Sequence, residues 1–456
     1  MTAATEVSLT PRMHLLLRAP VPGALWRLAT PNVMAVVTMT AVTFADVWFV
    51  GQLGTAALAS LALVFPFQTL MQMMAGGAIG GGVTSALARA LGAGDQNRAE
   101  AIAWHGLLVA LAMASIYIIV LGIFASSIFG LIVDKGQVLD GAVLYAAIAF
   151  GGAPSLWLIM VLGAVLRGTG DTMTPARATI LSSIAQIGLS GALTLGWGPF
   201  PALGIAGPAA SMVICTGAAS IFLLYHLAIG RAAVRLHPQR LAWAPVRGIM
   251  QVGGIGILNS ITIALTVVTV TAVVAGYGAE ALAGYGLGSR LELMLVPVAF
   301  GIGASLTAAV GANFGAGQYA RARRFAWTGG GVTFALTGGL GLAVAFYPEL
   351  WLDNFTADPA AFAFGAMYLG IAGPAYGLFG AGQTLYFASQ GTGRMALPVL
   401  VGLTRFAVVA AVGLLAVDQS WSIEAVFGGV AAGLAIVGIG VALCLYSPGW
   451  RPDRKR

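Results

Sequence analysis

Two stretches of this 456-residue chain repeat one another and decide how it folds. Residues 62–104 read ALVFPFQTLMQMMAGGAIGGGVTSALARALGAGDQNRAEAIAW, and residues 285–327 read YGLGSRLELMLVPVAFGIGASLTAAVGANFGAGQYARARRFAW. At a constant shift of 223 the two agree at 13 of 43 positions, including Gly92-Ala93-Gly94 with Gly315-Ala316-Gly317. The same shift places Gly168-Thr169-Gly170 on Gly391-Thr392-Gly393. Two separate motifs in one register predict an internal duplication.

The repeats belong to a strongly apolar chain. Hydrophobic residues make up 59% of it and charged residues 8%, about one third of the charge of an average soluble domain. Because so little charge cannot cover a water-exposed surface, lipid must solvate most of the chain. The composition therefore excludes a disordered chain, a conventional soluble enzyme and a disulfide scaffold. The 22 basic residues are also too scattered to form a nucleic-acid surface.

Twelve stretches are long and apolar enough to predict membrane-spanning helices. Six helices per repeat is an even number, so the two halves run parallel through the membrane. We predict an all-α polytopic membrane protein whose two six-helix repeats form a V-shaped, two-lobed bundle. The predicted spans are residues 25–51, 57–87, 101–128, 142–166, 175–195, 204–229, 245–275, 281–309, 326–346, 361–387, 398–417 and 425–445.

The basic residues predict the orientation. Of the 22, 19 lie in the two tails, the start of the first helix and the even-numbered connections, whereas Lys135 alone lies in an odd-numbered one. Basic loops stay in the cytoplasm, so we expect both termini to be cytoplasmic, in the inner membrane of a bacterium. The predicted division is an N-terminal tail (1–24), an N-terminal lobe (25–230), a cytoplasmic linker (231–244), a C-terminal lobe (245–446) and a basic tail (447–456).

Four formal charges lie deep within predicted spans: Asp46, Glu292, Arg290 and Arg405. A charge at mid-bilayer costs about 2.5 to 3.5 kcal/mol on insertion scales, so it normally faces the interior of a bundle and marks a pathway. These residues are therefore the first candidates for a transport site.

Asp46 lies on a polar face of the first helix. At 100° per residue, Asn32 and Thr43 fall within about 60° of it, and Gln68 and Gln72 recur on one face of the second helix. Packing has no need of a carboxylate, so we expect Asp46 to serve transport and these neighbours to line a cavity.

Glu292 is predicted near the middle of the eighth helix. Tyr285 is seven positions earlier and shares its face, and Thr266 belongs to a polar face of the seventh helix. Two interpretations stay open. Glu292 lines a substrate cavity, or Arg405 or Arg290 neutralises it as a structural ion pair.

Exchange is the chemistry that such carboxylates allow. A buried carboxylate can hold a proton, a sodium ion or an organic cation in turn, and exchange among these ligands is antiport. The sequence has no phosphate-binding loop and no metal-ligand spacing. We expect no enzymatic activity, no cofactor and no ATP, with lipid and a small organic substrate as partners of a monomer. A sodium ion at Asp46 is the one metal left open.

At this level of detail the chain resembles the multidrug and toxic compound extrusion (MATE) family. The residues that carry the resemblance are Pro31…Ala45-Asp46…Phe49-Val50-Gly51-Gln52-Leu53-Gly54, Gly92-Ala93-Gly94-Asp95…Arg98-Ala99 and Arg167-Gly168-Thr169-Gly170-Asp171-Thr172…Pro175, with Gly315-Ala316-Gly317-Gln318…Arg321-Ala322 and Gln390-Gly391-Thr392-Gly393…Pro398 in the second half.

The resemblance implies two six-helix lobes, an outward-opening V and proton- or sodium-coupled export of cationic amphipathic compounds. It matches Asp46 to the first-helix aspartate that the family uses for cation coupling. Gln186 and Ser190 occupy fifth-helix positions where one branch has an Asn and an Asp, so the second carboxylate of that branch is missing here.

Two other classes of function stay open beside export. A flippase for lipid-linked or polar lipid substrates would have a more cationic cavity, which Arg290 and Arg405 allow and the two carboxylates oppose. An intramembrane enzyme would need a catalytic constellation that the sequence lacks, and a structural bundle would need no cavity.

Overall fold

The structure, a computed structural model, describes residues 11–450, apart from the side chain of Leu293. Residues 1–10 of the predicted N-terminal tail and the basic residues Arg451, Arg454, Lys455 and Arg456 of the C-terminal tail lie outside the described residues. Within residues 11–450 the regular secondary structure is helical throughout, with no β-strand.

In this range eleven helices are each long and apolar enough to cross a membrane, and one bent pair supplies a twelfth span. The prediction of an all-α protein with twelve spanning helices is confirmed. They are α1 (Val21–Gly51), α2 (Thr55–Gly92), α3 (Gln96–Ile123), α4 (Gln137–Gly151 and Ala153–Gly168), α5 (Met173–Leu195), α6 (Ala206–Ala228), α7 (Trp243–Ala275), α8 (Ala279–Gly315), α9 (Tyr319–Phe346), α10 (Pro359–Thr392), α11 (Ala396–Asp418) and α12 (Ile423–Cys444).

The duplication is visible in the backbone. Helix α4 bends by 43° at its break, and α10 has a turn of 3₁₀ helix at the corresponding position, Gly373–Ala375. The paired motif glycines also share one conformation, with φ of 78° at Gly94 and 73° at Gly317. Side chains avoid this left-handed region, so the sequence match at these glycines reflects a turn that both halves need.

Each half has its own hydrophobic core. The N-terminal core includes Tyr145, Phe150 and Trp157, and the C-terminal core includes Tyr368 and Phe427. Helix α1 contacts both α5 and α8. Its first turns, with the short helix Pro11–Leu17 before it, pack in the C-terminal core, so the first helix joins the two lobes.

The lobes touch where α2 and α8 cross, through glycine. A Cβ atom added at Gly92 would lie 2.1 Å from the Ala312 carbonyl oxygen, and one at Gly315 would lie 2.1 Å from that of Arg89. Gly82 meets the Ile249 carbonyl oxygen of α7 in the same way, at 2.5 Å. Small residues allow the backbones of membrane helices to approach this closely.

These contacts lie toward the end of the bundle at which α1 begins and α12 ends, which we call the basic end. Hydrogen bonds between the lobes there include those from Asn32 to Ser305, at 2.9 Å, and from Gln390 to the Gly77 carbonyl, also at 2.9 Å. Toward the opposite end, α1 packs on its own lobe, where the rings of Phe49 and Trp197 are 5.5 Å apart. The lobes therefore diverge away from the basic end, in the predicted V.

The variant Gly315→Ala should loosen this crossing. Because its Cβ would overlap the Arg89 carbonyl, we expect a loss of about 1 to 3 kcal/mol from overpacking, measured as a lower melting temperature of the purified protein in detergent. The matched control is Gly331→Ala in α9, which has open space around its added Cβ. If both variants melt at the wild-type temperature, the crossing is not the tight contact described.

Candidate functional site

Asp46 lies on α1 beside α5, within the N-terminal lobe. The Ser190 hydroxyl of α5 donates a hydrogen bond of 2.5 Å to Asp46 Oδ1. Ser190 is fully buried and Asp46 is partly buried. Among residues 11–450, no basic side chain lies within 4.0 Å of the Asp46 carboxylate. The site therefore holds a carboxylate with a neutral hydrogen-bond donor and no resident counter-ion.

Other polar groups of the N-terminal lobe extend this site. Gln186 lies one turn before Ser190 on α5 and is buried. On α2, Gln68 accepts a hydrogen bond of 3.1 Å from the Tyr145 hydroxyl of α4. Tyr145 is close enough for the Asp46 charge to act on it. Sequence reasoning missed Tyr145 because it lies three residues inside the predicted span 142–166, where tyrosine is common as an interfacial residue.

The remaining predicted neighbours of Asp46 make no hydrogen bond to it in the described part of the chain. The Thr43 hydroxyl donates to the Met39 carbonyl of its own helix at 3.5 Å, and Gln72 is partly buried. Asn32 donates to Ser305 of α8 at 2.9 Å and is buried between the lobes. The polar face of α1 thus contributes to two separate contacts. Asp46 belongs to the carboxylate site near its C-terminal end, and Asn32 belongs to the contact between the lobes.

Glu292 lies on α8 inside the C-terminal lobe and has two strong partners. The Tyr368 hydroxyl of α10 donates to Glu292 Oε2 at 2.5 Å, and Arg405 Nη2 of α11 donates to Oε1 at 3.2 Å. Both charged side chains are buried. Of the two interpretations that the sequence left open, the geometry supports the structural ion pair with Arg405.

Aromatic rings enclose this pair. The Arg405 guanidinium lies 5.0 Å from the centroid of the Phe379 ring, which favours a cation. The rings of Tyr285 and Tyr368 meet edge to face at 5.3 Å. Arg290, the other candidate partner, is exposed. Tyr368 was missed because nothing in the order of residues links it to Glu292.

A small polar cavity adjoins Arg405 in the same lobe. The Arg405 Nε atom is buried and has no hydrogen-bond partner among the described residues. Thr266 lines the cavity, although its hydroxyl donates to the Thr262 carbonyl of its own helix at 2.8 Å. The other polar lining residues are Asn259, Thr262, Gln383 and Tyr386.

The two carboxylates are therefore chemically different. Removing one charge from a buried pair leaves the other uncompensated, which makes the Glu292–Arg405 pair a fixed part of the structure. Among the described residues Asp46 has no such partner, so its carboxylate is open to a mobile cation. In the described part of the chain, no group of three or more His, Cys, Asp or Glu side chains has a geometry suited to a metal ion.

Comparison with known proteins agrees with this architecture. The MatE family model matches twice, over residues 31–190 and 256–415, one match in each half of the duplicated chain. The chain is 29% identical to a FAD transporter of Shewanella oneidensis, with 80% of this chain and 81% of that protein aligned. It is 24% identical to the multidrug export protein MepA of Staphylococcus aureus, over 62% of this chain and 64% of that one.

Solved structures share the fold. A MOP superfamily transporter from Pyrococcus furiosus superposes with a TM-score of 0.87 at 22% identity, covering 95% of this chain and 97% of that one. A multidrug resistance MATE family transporter in an outward-facing conformation superposes with a TM-score of 0.84, also at 22% identity, with the same coverage. The named relatives are transporters rather than enzymes. The chain belongs to the MatE family, the multidrug and toxic compound extrusion family of membrane transporters.

Proposed function

We propose that this transporter exports organic, cationic amphipathic compounds in exchange for protons or sodium ions, which bind at Asp46. The observation that carries the proposal is the Asp46 carboxylate, bonded to Ser190 and without a basic side chain within 4.0 Å among the described residues. A partly buried carboxylate is costly without a counter-charge. A transported proton or sodium ion would supply the counter-charge of Asp46 while it is bound, which is one part of the transport cycle.

The side chains around Asp46 suit either ion. A proton needs the carboxylate alone. A sodium ion prefers several oxygen ligands, and Ser190 and Gln186 carry a hydroxyl and an amide oxygen on the neighbouring helix. Neither residue adds a second carboxylate, so the coupling would rest on one acidic group.

Alternating access would use the joint at the basic end. The lobes meet there, and export would require them to separate at that end and close at the other. The Ser85 hydroxyl donates to the Gln390 carbonyl, and Arg89 donates to the Gly391 carbonyl at 3.0 Å. A rocking motion would break bonds such as these while most of the core of each lobe stays packed.

A flavin dinucleotide is a second candidate cargo. The observation that favours it is the 29% identity to a FAD transporter of Shewanella oneidensis over 80% of this chain. FAD carries phosphate charges that Asp46 would repel, so this cargo and an organic cation make opposite demands on the site. In reconstituted vesicles, saturable uptake of FAD without uptake of an organic cation would favour the flavin.

The basic end should face the cytoplasm of the bacterium, in the inner membrane. Basic connections are retained on the cytoplasmic side, and the linker alone carries Arg231, Arg235 and Arg240. A fluorescent protein fused to the C terminus should therefore fold and fluoresce, whereas an alkaline phosphatase fused there should be inactive. An active phosphatase would contradict the orientation.

The variant Asp46→Asn should uncouple transport. The amide keeps the size of the side chain and can still accept from Ser190, but it cannot bind a proton or attract sodium. We expect uptake of a fluorescent organic cation, driven in turn by a proton and a sodium gradient, to fall at least about tenfold, the factor for about 1.4 kcal/mol of lost ion-binding energy.

Asp140→Asn is the matched control, because Asp140 is an exposed acid in the first turn of α4. It should transport at the wild-type rate under both gradients. Wild-type rates for Asp46→Asn would contradict coupling at Asp46, and no uptake by the wild type under either gradient would contradict cation antiport.

The Glu292–Arg405 pair should matter for stability. Glu292→Gln leaves the Arg405 charge buried and unpaired, so we expect a loss of about 3 to 5 kcal/mol, measured by thermal unfolding in detergent. The double variant Glu292→Gln/Arg405→Gln should recover part of it, because neither charge is then stranded. If the single variant melts like the wild type, the pair is not the stabilising contact described.

A further inference from the structure

A second charged cavity lies between the lobes at the basic end. Its volume is about 200 Å³, and it is bounded by α2 and α3 on one side and by the start of α7 and the end of α10 on the other. None of the described residues that line it is acidic. The polar lining consists of Arg89, Arg98, Gln251, Thr392 and Arg394, with the backbone of Gly393 beside them.

The arginines of the N-terminal lobe are positioned without a carboxylate. Arg89 donates to Ser85 of its own helix and to the Gly391 carbonyl of the other lobe, which fixes its guanidinium at the joint. Arg98 is exposed at the start of α3. No carboxylate of residues 11–450 lies within 4.0 Å of either guanidinium. Two guanidinium groups of one lobe thus border the cavity without a carboxylate of the described residues beside them, and an anion would offset their charge.

The duplication allows the surroundings of Arg98 to be compared with those of its counterpart in the C-terminal half. Arg321 is the counterpart of Arg98 at the repeat spacing of 223. It donates to the carbonyl oxygens of Leu16, at 3.3 Å, and of Ala19, so the segment before α1 presents oxygen atoms to this arginine. Leu16 also packs against Gly170, the counterpart of Gly393.

The segment that precedes α7 takes a different path. In the linker, His237 lies 3.1 Å from Glu100 of α3, and the Ala242 amide donates to His105 of α3 at 3.0 Å. The linker is therefore held along the side of α3, and its backbone presents no oxygen to Arg98 as Leu16 and Ala19 do to Arg321.

We propose that this cavity binds a phosphate-type oxyanion, which takes the place that backbone oxygens occupy in the other half. A phosphate group offers several acceptor oxygens, and arginine binds such groups strongly. The volume has room for a phosphate with several waters, since each water takes about 30 Å³. Because the cavity is lined from both lobes, the bound anion bridges Arg89 and Arg98 to the Gln251 amide of α7 and holds the basic end closed.

The test uses the full-length protein in phosphatidylcholine nanodiscs, titrated with inorganic phosphate or pyrophosphate at constant ionic strength. We expect a saturable rise in melting temperature. Arg98→Gln should weaken the apparent affinity about tenfold, because a charge-assisted contact is lost. Arg177→Gln, which removes an exposed arginine of α5 outside the cavity, should bind as the wild type does.

A second arm separates the sources of the phosphate. If nanodiscs with phosphatidylglycerol stabilise the protein through Arg98 and free phosphate does not, the ligand is a lipid headgroup. The proposal is overturned if neither source stabilises the protein, or if Arg98→Gln and Arg177→Gln respond alike.

Bridging of the two lobes by the anion is tested separately, by the distance between them. Spin labels are placed on Arg231→Cys, where the linker leaves the N-terminal lobe, and on Ala320→Cys in the C-terminal lobe, both exposed positions. The anion should shift the distance distribution toward the closed basic end, and Arg98→Gln should abolish the shift. A distribution that phosphate leaves unchanged despite binding would overturn the bridging role. Coupling at Asp46 is not involved, so this test and the transport assay fail separately.

Discussion

The absence of water in the bilayer core governs this structure. Backbone groups in hydrocarbon must be paired within the chain, which leaves a bundle of helices as the form that this composition can take. Side-chain charges face the same demand and need partners inside the protein. Asp46 and Glu292 meet it differently. Glu292 is neutralised by Arg405 and accepts a hydrogen bond from Tyr368, whereas within residues 11–450 the partner of Asp46 is a hydroxyl donor. Glu292 therefore has a structural role, whereas Asp46 is the acid on which the proposed function depends.

The duplication supplies two similar lobes, and their differences are informative. Both halves keep the turn glycines, and both interrupt the fourth helix at matching positions, by a bend in α4 and by a 3₁₀ turn in α10. They differ in charge at matching places, since Asp171 pairs with Arg12 in one half and Arg394 stands at the same position in the other. In the proposed function, the N-terminal lobe would bind the coupling ion at Asp46, while the C-terminal lobe keeps the buried Glu292–Arg405 ion pair.

The joint between the lobes combines close contact with few bonds. Glycines of α2 and α8 bring two backbones together, and helix α2 changes to a π-helical segment, Met73–Ile79, where it meets α7. Segments of this kind often mark functional places in helices because their backbone hydrogen bonds are less regular. A joint built in this way holds one arrangement of the lobes without a large interlocking core, which is what a rocking motion needs.

Sequence alone determined the membrane class, the twelve helices, the duplication and the positions of the two acids within the spans, because these features can be recognised from composition, periodicity and repeated motifs. It did not determine the partners. Ser190 is 144 positions from Asp46, and Arg405 is 113 positions from Glu292. Which face of one helix meets which face of another depends on the packing of the whole bundle. The tertiary structure therefore decided that Glu292 is paired, that Asp46 has no cation beside it among the described residues, and that Arg89 and Arg98 face a cavity between the lobes.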